Sequence, residues 1–507
     1  APRGDGRVKG PDRLAVGRVA ATWWLPTLIA CAVGVVYVCY SVAQWRALAA
    51  PSWDLGIFTE AVQAYSRFEA PIVPIKGPGY NLLGDHFHPI LALLGPIFRL
   101  FPSALTLLVV QDILIAVSVL PVARLAQRLL GRGGALLVGF TYGLGWGLQG
   151  AVGAQFHEVC VAVSLLAFGG VAFVERRWGA CMAWLAPLVL VKEDLGLTVF
   201  VAGLAIAWRR RREGRSAVLR SMAYALFGVV AFVLTVKVLL PAMNPAGTWA
   251  YSLDGSATGA GTPTGGTTAA RAIPSLWDIL TTPSVKLVTL IVLAAGAGFV
   301  GTASPWFALV APTLAWRFAG SVEAYYGWDS WHYNAVLVPI AACSLLDVID
   351  QWLAPERATA DTDVEHGEEA TASSNLGWRV AAWVVACVPA ASLAFAASSL
   401  PLWHLPDLKE DPRMAAALGA LDAVPEGVSV ETDTTLLARL VPGREVYWVG
   451  TTGSMDTPPE YVVIDARSYA WGDQQVDAES WGSAAHPGHS YETVYAKQGF
   501  RVVRRTS

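Results

Sequence analysis

The chain has 507 residues, of which 54% are hydrophobic and only 15% charged. Its mean hydropathy of +0.46 describes more apolar surface than a soluble protein of this size hides in a core, so lipid is its natural solvent. A net charge of -3 excludes a basic field for nucleic acid, and the six cysteines, all inside apolar stretches, form neither a disulfide framework nor a cysteine metal site.

Spanning a bilayer takes roughly 20 mainly apolar residues, and by that measure the chain carries about eleven spans. They are expected at 23–42, 104–123, 134–152, 159–174, 179–191, 195–208, 220–240, 285–301, 304–318, 335–350 and 378–399. The short members 179–191 and 195–208 read either as two full spans or as a re-entrant pair. The first apolar run is too long for a signal-peptide core and lacks a small-residue cleavage pattern, so it is expected to be retained.

Orientation follows from Lys and Arg, which cytoplasmic loops hold in excess. Arg3, Arg7, Lys9, Arg13 and Arg18 precede the first span; Arg124, Arg128 and Arg132, then Arg176 and Arg177, then Arg209, Arg210, Arg211, Arg212, Arg215 and Arg220 mark later inward loops. The N-terminus is therefore expected in the cytoplasm. The loop 241–284 on the other side carries only Arg271. Within it, the Gly- and Thr-rich stretch 253–270 reads as a flexible external loop able to close over a substrate. The acidic stretch 356–369 reads as a solvated, disordered inward loop.

Beyond 401 the charged residues return and short β-branched runs appear at 428–432, 445–449, 461–465 and 500–504, with helical patterns at 412–423 and 434–440. That pattern is a small α/β domain. The chain thus divides into a cytoplasmic segment (1–22), a transmembrane domain (23–400) and an extracytoplasmic α/β domain (401–507). The fold class is a polytopic α-helical membrane protein with that domain appended.

On this topology the polar motifs gather on the external side: Trp53, Asp54 and Glu60; Asp85, His86 and His88 in GDHFHP; His157 and Glu158 in QFHE; Lys192, Glu193 and Asp194 in VKED; and Tyr325, Tyr326, Asp329, His332, Tyr333 and Asn334 in YYGWDSWHYN. Charges at membrane depth are costly and face a cavity or one another, which suggests one shared polar pocket; the plain alternative is a set of interfacial loop ends with no common site. Apolar residues at Ile57, Phe58, Ala61, Val62, Tyr65 and Phe68 give 53–68 the spacing of a helix lying on an apolar surface. Asp54 then starts that helix, either as an N-cap or as a functional carboxylate. A second stretch, 89–101, is too short to span and is expected in the interface. In Lys192-Glu193-Asp194 the charges either pair with one another or diverge, because consecutive helical side chains lie about 100° apart. In the second case a carboxylate seeks His86, His157 or a cation, and Lys192 points into the cavity.

The motifs SWDLGIF, GDHFHPIL, QFHEV and LVKEDLGL resemble the bacterial membrane-protein family called domain of unknown function 2079, over most of 50–350 and more loosely into the C-terminal domain. More distantly, the layout resembles the GT-C glycosyltransferases, among them protein O-mannosyltransferases and lipid A aminoarabinose transferases. In these an acidic residue just after the first span is catalytic, and a Pro-rich amphipathic segment like HPILALLGPIFRLF precedes the next span. Asp54 occupies the first position and Pro89 begins the second, although Trp53-Asp54 stands where many members carry paired acids.

The resemblance implies inverting transfer of a sugar from a polyprenyl-phosphate carrier to a cell-envelope glycan, lipid or protein. Such transfer needs a base on the acceptor hydroxyl and positive charge on the leaving phosphate. Asp54 is the expected base. Lys192, His86, His157, His332 and Tyr333 are the expected substrate and phosphate ligands, with Asp85, Glu158, Glu193 and Asp194 in support or holding a cation. No cofactor is required by the motif spacing; a divalent ion (Mn, Mg or Zn) is the candidate, although the spacing matches no compact metal motif. A transporter or lipid flippase would need polar groups through the bilayer, where Asp112 is the clearest. A non-enzymatic envelope scaffold leaves Lys192-Glu193-Asp194 without a purpose. The C-terminal domain, whose His404, His486 and His489 are scattered through turns, is expected to shape acceptor binding and contribute no catalytic group.

Overall fold

The computed structural model describes residues 13–245, 247, 275–320, 322–329, 331–366, 387–395, 397–453 and 455–506. The expected external loop 253–270, the first part (378–386) of the last expected span and the end of the acidic stretch lie outside these.

Among the described residues, three helices are long and apolar enough to cross a membrane: Trp23–Arg46 within α1 (Arg13–Arg46), Ala104–Gly153 and Arg215–Met243. The second combines α4 (Ala104–Gly143) and α5 (Trp146–Gly153) and covers two expected spans. Gly131 separates them: its φ of +79° is a left-handed conformation that glycine adopts without steric cost. The two arms of α4 then fold back on each other, with the Tyr142 hydroxyl donating to Ser118 Oγ at 2.8 Å. Shorter apolar helices run over Val159–Val174 (α6) and Trp178–Leu190, whose second half tightens to 3-10 geometry where Pro187 removes a donor. Next comes α8 (Leu195–Arg210), whose far end brings Arg209 over the Phe173 ring at 5.6 Å and onto Asp347. The turn between Leu190 and Leu195 sits at the opposite end of the bundle, against Glu158 and His86. Segments 179–191 and 195–208 therefore each run from one end of the bundle to the other.

Helix α9 (Arg215–Leu234) packs on α8, and α12 (Val285–Gly296), α13 (Val310–Ala319) and α14 (Leu337–His366) complete the described bundle. The last corrects an expectation, since α14 continues through residues 356–366 where a solvated loop was anticipated. Charge alone does not stop a helix, and the stretch PERATADTDVEH carries Glu, Arg and Ala, which favour helix.

The C-terminal part is a five-stranded sheet in the order β2-β1-β3-β5-β4. Strands β1 (Ser429–Thr432), β2 (Glu445–Trp448) and β3 (Tyr461–Asp465) are parallel; β5 (Phe500–Arg505) runs antiparallel to β3 and to β4 (Tyr491–Lys497). Strand β4 was not anticipated. It is the edge strand and only Tyr491 is buried, so it lacks the apolar alternation that marks a half-buried strand. A helix over Thr434–Leu440 links β1 to β2.

This domain does not complete its core alone. Ile57 and Ala61 of α2 (Asp54–Ser66), with Val73, Ile75 and Leu82 from the turn that follows, pack among Val430, Leu437 and Val446. Glu60 fixes the junction: buried, it accepts from Ile75 N–H at 3.1 Å and from Val446 N–H at 3.2 Å. Glu60→Ala leaves two buried N–H groups unsatisfied, and each costs about 1–3 kcal/mol. A loss of that order in thermal stability in detergent, with loosening of the α/β domain seen by limited proteolysis, is the expected result.

Candidate functional site

Asp54 is the first residue of α2 and does not cap it; Trp53 holds the cap position and makes no side-chain cap bond. Instead Ser52 Oγ donates to Asp54 Oδ2 at 2.8 Å and accepts from Asp54 N–H at 3.2 Å. His157 Nε2 stands 3.5 Å from the same carboxylate oxygen. Burial pushes the Asp54 carboxyl up, but His157 and Ser52 outweigh it and hold the group below the ordinary aspartate value.

The position of His157 is set by two glutamines. Gln111 Oε1 accepts from His157 N–H at 3.0 Å while its Nε2 donates to the Gln155 carbonyl at 3.1 Å, and Gln155 Nε2 donates to the Ala49 carbonyl at 2.9 Å. The His157 ring stacks on His332, centroids 3.6 Å apart and planes 21° apart. Each histidine follows a non-glycine residue at positive φ, Gln155 (+70°) and Trp331 (+58°). Such conformations cost about 1–3 kcal/mol each and persist where surrounding structure over-determines them.

Glu158 lies beside this pair and receives Lys192 Nζ at 2.9 Å, both side chains nearly inaccessible. Burial opposes ionisation of Glu158, yet the Lys192 ammonium beside it leads the charges that drive it far below the carboxylate range. The run after Lys192 diverges, although its residues lie in the turn before α8 and not on a helix as expected. Glu193 takes His86 Nδ1 at 2.8 Å and Phe87 N–H at 3.0 Å, and Asp194 Oδ2 accepts from Trp316 Nε1 at 2.9 Å. Mutual pairing within the run is not the arrangement. Burial would lower His86, but Glu193 raises it; buried His88 is pushed down to about 4; burial raises Asp194 to about 6. Burial with His157 and Lys192 holds His332 neutral.

The GDHFHP turn reaches this cluster because Gly84 lets the Asn244 backbone pass where a Cβ would meet it at 2.4 Å. Asp85 faces Lys76 and so stands at the margin. Arg317 was missed in the sequence. Fully buried in α13, it donates to the carbonyls of Tyr325 (2.7 Å), Gly327 (3.0 Å) and Tyr333 (3.3 Å) and to Asn334 Oδ1 (2.8 Å), which shapes the loop that carries His332 and Tyr333. A single arginine inside the apolar run APTLAWRFAG was the available signal.

The motifs that meet here extend along most of the chain. Residues 45–502 match the family described as predicted membrane protein, DUF2079. The chain belongs to that family. No curated protein matches this DUF2079 member. Solved structures similar to it include ArnT from Cupriavidus metallidurans in the apo state, at 15% identity and TM-score 0.44, covering 97% of this chain and 98% of that one. The same protein bound to undecaprenyl phosphate gives 15% identity and TM-score 0.45, with coverage of 96% and 98%. The Archaeoglobus fulgidus oligosaccharyltransferase tethered with an acceptor peptide gives 11% and 0.38, with coverage of 94% and 74%.

Among the described residues of this DUF2079 protein, no three His, Cys, Asp or Glu side chains stand so as to hold a metal ion together. The carboxylates nominated for a cation are faced by protein cations, Asp85 by Lys76 and Glu158 by Lys192. The donor set as arranged does not fit a divalent ion. What remains unsatisfied and buried is a group of acceptor or donor atoms: His157 Nε2, His332 Nδ1, His88 Nδ1 and Asp194 Oδ1. Buried polar atoms without partners are costly and mark places where a ligand's hydroxyl or phosphate oxygens can complete the bonding.

Lys192→Met strands Glu158 as an uncompensated buried charge. Removing one partner of a buried pair typically costs about 3–5 kcal/mol, and a melting-temperature decrease of matching size is expected. The double variant Lys192→Met with Glu158→Gln should recover most of it, so that any remaining functional loss reports on Lys192 itself.

Proposed function

We propose that this protein is a membrane glycosyltransferase that moves a sugar from a polyprenyl-phosphate donor to an acceptor hydroxyl on the extracytoplasmic face, with inversion. The observation that carries the reading is Asp54: a carboxylate kept ionised, with a buried histidine 3.5 Å away, at the rim of a cluster that also contains Lys192. The acceptor O–H gives its proton to Asp54 as its oxygen attacks the anomeric carbon. The bond from that carbon to the phosphate oxygen breaks, and the electron pair leaves with polyprenyl phosphate. No acid is needed on that oxygen, since phosphate departs without protonation. Lys192, shared between Glu158 and the departing phosphate, supplies positive charge, with His86 as second cation. The proposed step takes nothing from a divalent ion.

A conduit would distribute charge along the bundle. Here the charged pairs sit at its two ends, Lys192–Glu158 and His86–Glu193 at one and Arg209–Asp347 at the other, which supports surface chemistry over transport.

Asp54→Asn keeps the shape and removes the base. Loss of about 10²–10⁴-fold in turnover is expected, as for a general base, read as polyprenyl phosphate released from lipid-linked sugars, with melting nearly unchanged. Because the Asp54 pKa is lowered, the base stays ionised on the alkaline side, and the acid limb of the pH–rate profile should fall below the ordinary aspartate value of about 3.9. An acid limb near the histidine value of about 6.5 would transfer the base role to His157.

Orientation is testable on exposed positions. Ser483→Cys, on the α/β domain, is expected to react with membrane-impermeant maleimide in intact cells, and Arg211→Cys only after the membrane is opened. The reverse pattern would place the site in the cytoplasm.

A further inference from the structure

Aromatic side chains from two parts of the chain surround Asp54. On the membrane domain, Tyr325 and Tyr333 stand with ring centroids 4.9 Å apart, and Trp316 packs against both at 5.4 and 6.0 Å. On the α/β domain, Trp448 ends β2 with its ring edge-on to Trp53 at 5.6 Å, and Tyr469, in the turn after β3, is 60% exposed.

Strand register places the second group on one edge. Trp448 is level with Thr432, and Thr432 with Val463. Trp448, Thr434 and Ser468-Tyr469 therefore share the C-terminal edge of the three parallel strands, where open α/β sheets place ligands. The Thr434 and Ser468 hydroxyls are 3.0 Å apart there, and Thr432 Oγ1 and Asp465 Oδ2 are buried without partners. Tyr325, Tyr333 and Tyr469 are each raised chiefly by burial and further by the charge of Asp54. Trp53, next to Asp54, meets Trp448 of the edge, while His157, 3.5 Å from Asp54, stacks on His332, whose ring centroid is 4.2 Å from that of Tyr333 in the membrane-domain loop, so both elements come close to the same carboxylate.

The chemistry of this cleft selects its ligand. An anion would call for ammonium or guanidinium groups, and Lys76, the cation near Trp53, is engaged by Asp85. A peptide adding to the sheet would need the free edge of β2, but the Val446 N–H there is taken by Glu60. Flat aromatic faces with hydroxyls at their rims match a sugar ring, which has apolar C–H faces and a hydroxyl perimeter.

We propose that the cleft over Asp54, between Tyr325 and Tyr333 on one side and Trp448 and Tyr469 on the other, is an acceptor subsite for a neutral saccharide. The inference rests on the transferase reading above and specifies its acceptor. The full-length protein in detergent is titrated with short soluble fragments of glucan, mannan and galactan, read by saturation-transfer NMR and tryptophan fluorescence. At least one is expected to bind. Tyr469→Ala, at an exposed position that the fold tolerates, should weaken binding about tenfold or more, the scale of an aromatic anchor; Tyr469→Phe should keep most of it. Absence of binding, unchanged affinity in Tyr469→Ala, or displacement of the saccharide by an unrelated peptide panel would overturn the subsite. Polyprenyl phosphate release with no saccharide bound would remove the subsite and spare the transferase; saccharide binding with no release would do the reverse.

Discussion

The polar cluster at the Asp54 end of the bundle is organised by the need to bury Lys192 and Glu158 together. Neither is tolerable alone in a low-dielectric setting, and their attraction offsets desolvation only if the surrounding groups finish the bonding. That requirement draws in the rest. His157 and His332 stack beside Glu158, Glu193 turns away to hold His86, and Asp194 is left to Trp316. Lys192 keeps Glu158 ionised, and the His157–His332 stack packs beside that pair.

The arrangement assigns different duties to groups of one chemical kind. Glu60 and Asp54 lie six positions apart on one helix, yet burial raises the first well above the carboxylate range while histidine and serine hold the second below it. The first joins two parts of the fold and the second faces the cleft. Arg317 shows the same economy: a cation without a carboxylate, satisfied by carbonyl oxygens, whose work is to hold a loop in shape.

The motif grouping was legible because burying charge is expensive: polar runs that emerge on one side of an apolar bundle have few options except one another. The divergence of Lys192-Glu193-Asp194 was anticipated on a helix, whereas the three residues lie in the turn before Leu195, and four of the five strands of the small sheet could be read to within a residue from their β-branched runs. Partner choice was not legible. That His157 serves Asp54, that Lys192 faces Glu158, and that Asp54 is no cap depend on distances between segments far apart in sequence. Strand β4 lacked a signal since an edge strand need not alternate, and α14 outran its apolar stretch because helix propensity persists where hydrophobicity ends.

The core shared between α2 and the α/β domain has a consequence for how the protein comes into being. Glu60 and Val446 are 386 positions apart, and chains are made from the N-terminus onward, with early parts folding first. Helix α2 is therefore synthesised, and must wait with its apolar face uncovered, until the segment around Val446 has left the ribosome. Trp448 and Tyr469 arrive with or after that segment. An unfinished or truncated chain thus carries Asp54 but lacks the domain that packs against α2.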